Sequence, residues 1–229
     1  MHDGQNLFDA ATATYGVEWG MAQTMDRLIA DGAIEPAIVV GIDNTADRIA
    51  EYTPCCDPKH GGGKLDAYER FILDTVKPYV DRTLRTEAGR EHTAIMGSSL
   101  GGIASVDIAQ RHPDVFSMAA SLSGSFWWNG RSMVSRVTPV TPVTPIPPIP
   151  PAAPRVPVRI YLDAGTDNDG LDDTIAMRDA LLSAGYRPGA DLYFHTMEGG
   201  AHNEKSWAAR VHLPLLWFFG ARGPQPEPR

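Results

Sequence analysis

Apolar positions along this chain follow two rhythms. Ala37–Ile42, Thr93–Gly97, Ser117–Leu122, Val158–Leu162 and Leu192–Thr196 are short, largely continuous runs of aliphatic and β-branched residues. Such runs suit strands buried on both faces. Between them, apolar residues recur every three or four positions over Trp19–Ala30, Leu65–Leu84, Leu100–Arg111, Asp172–Ala184 and Glu204–Phe219. That spacing lines up one face of a helix. Strands alternating with helices predict an α/β three-layer sandwich, with a mostly parallel sheet covered on both sides. In sheets of this kind, sites lie beyond the carboxyl ends of the strands.

One stretch breaks the alternation. Residues 138–157 hold nine prolines, in Thr-Pro-Val repeats and Ile-Pro-Pro pairs. Proline has no amide hydrogen and biases the residue before it toward extended angles. A polyproline-II or irregular insertion is predicted there, within one domain spanning residues 1–229. A spacer is favoured over a flap above the site.

Composition narrows the partners. The 229 residues carry a net charge of −8, with no basic block, which argues against nucleic acid. No apolar run approaches a membrane span. The adjacent Cys55 and Cys56 are expected as reduced thiols, because the ring joining neighbouring cysteines is strained. With no leader pattern at Met1-His2-Asp3, a cytoplasmic location is expected. There is no His-Glu-x-x-His motif or close His/Asp cluster, so neither a metal nor a cofactor is expected.

Chemistry enters at Gly97-Ser98-Ser99-Leu100-Gly101, which fits Gly-x-Ser-x-Gly. The motif follows a predicted strand and opens a predicted helix. This is the context of a nucleophile elbow, a sharp turn that lifts a serine hydroxyl clear of the sheet. Side chains two residues before and after the serine would collide, and glycine removes the collision. A nucleophilic serine needs a base, and the base needs a carboxylate, in the chain order serine, acid, histidine. His202 stands in the loop after the last strand, within Gly199-Gly200-Ala201-His202-Asn203. The acid is expected after the preceding strand: Asp167 first, with Asp169 as the alternative, and Asp163 read as structural. The oxyanion donors are expected to be the amide of Leu100 and one early-loop amide, Gly4 or Gln5.

Taken together, these pieces resemble the Putative esterase family of α/β-hydrolases, related to esterase D, the enterochelin esterases and the feruloyl esterases. The matching segments are His2–Asp9; Val40–Asn44 with Arg48 and Glu51-Tyr52; Ile95–Gly102; His112–Phe116; Ser125–Trp128; and Gly199–Glu204. The resemblance implies hydrolysis of a small-molecule carboxylic ester through an acyl-enzyme. Its triad would be Ser99, His202 and Asp167 (or Asp169), and Trp127, Trp128 and Asn44 would contact substrate. A core aromatic pair is the plainer reading of the two tryptophans. Two other functions stay open: a catalytically impaired homologue serving as a scaffold, and an acyltransferase using an alcohol instead of water. The family also has strands before the His-Asp-Gly loop, where this chain begins. The strand feeding that loop lies between the runs at Ala37–Ile42 and Thr93–Gly97, so a gap is expected there. Direct pairing, another chain, or a start inside a longer gene would each account for it. An exposed strand edge would also favour a homo-oligomer.

Overall fold

The computed structural model describes residues 1–138 and 158–220. The proline-rich insertion thus falls outside the described residues except for Thr138. Four parallel strands form the sheet in the order β1-β2-β3-β4: β1 Ala94–Ser98, β2 Met118–Leu122, β3 Arg159–Asp167 and β4 Leu192–Ala201. The helices are α1 Met21–Ala30, α2 Arg48–Glu51, α3 Leu65–Phe71, α4 Lys77–Thr83, α5 Ser99–Arg111, α6 Trp128–Val137, α7 Leu171–Ser183, α8 Glu204–Arg210 and α9 His212–Phe219. A π-helical turn, Ile72–Val76, joins α3 to α4. Among the described residues, no helix is long and apolar enough to cross a membrane.

Strand alternation divides the core into two layers. Ile95, Ala119, Ile160 and Leu162 pack on one face with residues of α3, α5 and α7. Met96, Ala120, Tyr161 and Tyr193 pack on the other with residues of α1, α8 and α9. Both faces are therefore apolar, which is why the strands read as unbroken hydrophobic runs.

Three expectations need correction. The helix predicted over Glu204–Phe219 is broken after Arg210 into α8 and α9. Pro214 has no amide hydrogen to give the Arg210 carbonyl, and its ring crowds that oxygen. Ala37–Ile42 is extended but joins no ladder; its one bridge pairs Ile42 with His2. It does not pair directly with β1. The residues at the start of the chain lie between the two instead: His2 N–H donates to Met96 O at 3.0 Å, and Ile42 N–H donates to Met1 O at 2.9 Å. Finally, Cys55 and Cys56 are joined as a disulfide, not held as free thiols.

Candidate active site

β1 ends at Ser98 and α5 begins at Ser99, so the chain turns from strand to helix at one residue. Ser99 has φ +56°, in the left-handed region that a side chain rarely occupies. The glycine two residues before the serine is required by contact. A Cβ at Gly97 would stand 2.8 Å from the His2 ring and 2.9 Å from the Gly101 backbone.

His202 follows the end of β4. Its Nε2 lies 2.9 Å from Ser99 Oγ, and its Nδ1 lies 2.8 Å from Asp169 Oδ1. The loop is pinned on both sides. Asn203 caps α8, its Oδ1 accepting from Ser206 N–H at 3.0 Å, while Ser206 Oγ accepts from Ala201 N–H at 3.0 Å. Trp207 meets the imidazole edge-on at 5.1 Å.

The carboxylate on the ring is therefore Asp169, and the preference for Asp167 is corrected. β3 runs on to Asp167, where a register shift after Gly165 pairs Asp167 with Ala201 and leaves its side chain exposed. Asp169 lies two residues beyond, and its side chain is buried. Its Oδ2 accepts from Ser123 Oγ and from Gly165 N–H, each at 2.6 Å. Burial alone would push this acid up. The hydrogen bonds from His202, Ser123 and Gly165, with the Arg210 charge, more than offset it and hold the group below the ordinary carboxylate value.

Arg210 organises the layer beneath. It is buried, with Nη2 3.1 Å from Asp169 Oδ2 and Nε 2.9 Å from Asp163 Oδ1, and Nη2 also donates to Ser123 Oγ. Trp207 Nε1 donates to the same hydroxyl at 2.8 Å. Asp163 is pushed up to about 6, because burial outweighs the help of Arg210, Tyr161 and the Ser123 amide. Sequence reading missed Arg210 and Ser123, and it gave Ser125, whose Oγ is 3.2 Å from Ser99 Oγ, only as part of the Ser125–Trp128 segment. Trp207 and Arg210 stand three apart in a predicted helix, a spacing that puts both on one face.

The early loop is fixed by a buried carboxylate. Asp3 accepts from Arg48 Nε at 2.7 Å and Nη2 at 2.9 Å, and from Asn44 Nδ2 at 2.6 Å. Asn44 thus spends its side-chain nitrogen on the loop. Gly4 is corrected as an oxyanion candidate, since its N–H donates to Ile42 O at 2.8 Å. It is glycine for a different reason: a Cβ there would stand 2.6 Å from the Gly41 backbone. The Gln5 amide has no acceptor among the described residues. The Leu100 amide, in the first turn of α5, has no intrahelical acceptor. The two tryptophans divide. Trp128 is buried, with Nε1 donating to Pro54 O at 3.2 Å, whereas Trp127 is exposed and meets His60 edge-on at 5.4 Å.

Comparison with known proteins gives a consistent result. The chain is 36% identical over 106 residues to an endo-1,4-beta-xylanase/feruloyl esterase of Xylanibacter ruminicola, covering 44% of this chain and 13% of that protein. It is 29% identical over 150 residues to the siderophore enterobactin esterase of Emericella nidulans, covering 58% of this chain and 47% of that protein. The chain therefore spans less than half the length of either relative. A solved ferulic acid esterase superposes with a TM-score of 0.65 at 22% identity, over 88% of this chain and 77% of the other, a likeness of fold. The family described as Putative esterase matches residues 1–215, and the chain belongs to that family.

Proposed function

We propose that the protein hydrolyses carboxylic esters through an acyl-enzyme on Ser99, with His202 as base and Asp169 as its orienting acid. The observation that carries this reading is the imidazole bridging Ser99 Oγ at 2.9 Å and Asp169 Oδ1 at 2.8 Å. His202 Nε2 takes the serine proton as Oγ attacks the ester carbonyl. Asp169, kept ionised, accepts from Nδ1–H and stabilises the imidazolium that forms. The amides of Leu100 and Gln5 stabilise the oxyanion, each lowering the barrier by about 3 kcal/mol. His202 returns the proton to the leaving alcohol, and water then repeats the sequence on the acyl-enzyme. The relatives' names make feruloyl and siderophore esters the first substrates to screen, and Trp127 with His60 offers an exposed aromatic rim for such acyl groups.

The test is hydrolysis of p-nitrophenyl acetate by the wild type and by Ser99→Ala. The wild type is expected to turn over and the variant to be inactive. Equal rates would overturn the reading.

A further inference from the structure

The turn after β2 meets both ends of the candidate triad. Ser123 Oγ donates to Asp169 Oδ2 at 2.6 Å, and two residues on, Ser125 Oγ lies 3.2 Å from Ser99 Oγ. The turn sits directly on the start of α5, the helix that Ser99 opens. A Cβ at Gly102 would stand 3.1 Å from Gly124 Cα, so the two backbones are in contact. Ser125 N–H also donates to Ser99 O at 3.0 Å, which ties the two serines together through the main chain. Among the described residues, the Ser125 side chain has no hydrogen-bond partner besides Ser99 Oγ.

Counting protons fixes the direction of the bond between the serines. An ionised Asp169 can only accept, so the hydrogen between it and the ring sits on His202 Nδ1, and Nε2 carries a lone pair. Ser99 has one hydroxyl hydrogen, and that lone pair, 2.9 Å away, takes it. Nothing remains for Ser99 to give. Ser125 O–H therefore donates to Ser99 Oγ. The two hydroxyls differ in access as well: Ser125 is buried, which disqualifies it as a second nucleophile, whereas Ser99 is half-buried.

We propose, resting on the acyl-enzyme reading above, that Ser125 is a further catalytic residue, its hydroxyl stabilising the charge that builds on the nucleophilic oxygen. As the Ser99 O–H bond breaks and its proton passes to His202 Nε2, Oγ gains negative charge on its way to the ester carbon. The hydrogen bond from Ser125 then becomes charge-assisted and roughly twice as strong. In the acyl-enzyme, Oγ is an ester oxygen and a poor acceptor. When water has attacked, the C–Oγ bond breaks, the electron pair returns to Oγ, and His202 hands it the proton taken from that water. Ser125 again meets growing charge. Its bond is stronger in both transition states than in the states before them, which is the condition for raising kcat and not merely tightening binding. The Leu100 and Gln5 amides serve the carbonyl oxygen of the substrate. Ser125 serves the attacking oxygen of the enzyme.

The test uses the full chain and p-nitrophenyl acetate, with Ser125→Ala, Ser125→Thr and Ser99→Ala measured beside the wild type. Ser125→Ala is expected to lose about 10- to 100-fold in kcat, with KM changed by less than about threefold and an unchanged melting temperature. Ser125→Thr keeps the hydroxyl and is expected to recover most of that loss. The acid limb of the pH profile of kcat/KM, set by His202, is expected to keep its midpoint in Ser125→Ala, because the lost donor acts on the serine oxygen and not on the ring. With Ser99→Ala inactive, four results would each overturn the role of Ser125 and leave the esterase reading standing: wild-type kcat in Ser125→Ala, a loss matched by a lowered melting temperature, Ser125→Thr no faster than Ser125→Ala, or a displaced acid limb. Ser99→Ala as fast as the wild type would instead overturn the esterase reading, and the role of Ser125 with it.

Discussion

At the scale of single residues, the site is an arrangement of charge around one imidazole. Asp169 and Asp167 differ by two positions, yet only Asp169 touches the ring and is buried with the hydrogen bonds that keep it ionised. Asp169→Asn is expected to lower kcat by roughly 10³–10⁴, because the ring loses its acceptor and its tautomer, while Asp167→Asn stays near wild type. Steady-state kinetics on p-nitrophenyl acetate separates the two, and equal losses would contradict the geometry. Arg210 supports Asp169 and Asp163 from a buried position. Arg210→Met leaves two buried carboxylates with no cation and is expected to cost about 3–5 kcal/mol of stability in denaturant melts. The sequence pointed to Ser99 and His202 because the elbow motif and a glycine-rich loop after a strand are both local signals. It misordered the two aspartates because the choice depends on where β3 stops, and the register shift after Gly165 is a tertiary fact.

At the scale of elements, β1 to β4 and their intervening helices lie close to where hydrophobic rhythm predicts them, since both sheet faces are buried and the period signal is clean. The misreadings have physical causes. Pro214 splits a helix whose apolar spacing runs through it, and Ala37–Ile42 has strand composition but forms only the single bridge of Ile42 to His2. Close backbone approach is the other feature that spacing hides. Gly4 lies against Gly41 and Ile42, and this contact seats the early loop. Gly4→Ala is expected to destabilise the fold by about 1–3 kcal/mol and to lower kcat more than it changes KM, since it displaces the Gln5 amide. A variant with wild-type stability and kcat would show that the approach is not needed.

At the scale of the whole molecule, His2 ties the start of the chain to the sheet and to α3. Its ring is buried, with Nδ1 2.7 Å from the Tyr68 hydroxyl, and Tyr52, Asp3, Arg48 and the chain-terminal amine around it. Burial, with the amine and Arg48 adding to it and Asp3 opposing, lowers its pKa to about 3. Below pH 6.5 the unfolded chain takes up a proton that the native chain refuses. Native stability from this residue is therefore present above pH 6.5 and is lost as the pH falls toward 3, at about 1.4 kcal/mol per pH unit. Melts from pH 7 to pH 4 are expected to show a shallower decline for His2→Gln than for the wild type, and identical slopes would refute the assignment. Net charge and the lack of basic blocks point away from nucleic acid, whereas the seating of His2 between Met96 and Ile42 is a tertiary fact that composition does not carry.

The central claim is that Ser99 is made nucleophilic by a ring held between it and Asp169. Intact-protein mass spectrometry after a brief exposure to a fluorophosphonate probes that claim at the reacting atom. One adduct on Ser99 in the wild type, none in Ser99→Ala and slowed labelling in His202→Ala is the expected result. An unlabelled wild type, an adduct elsewhere, or labelling that is indifferent to His202 would contradict it.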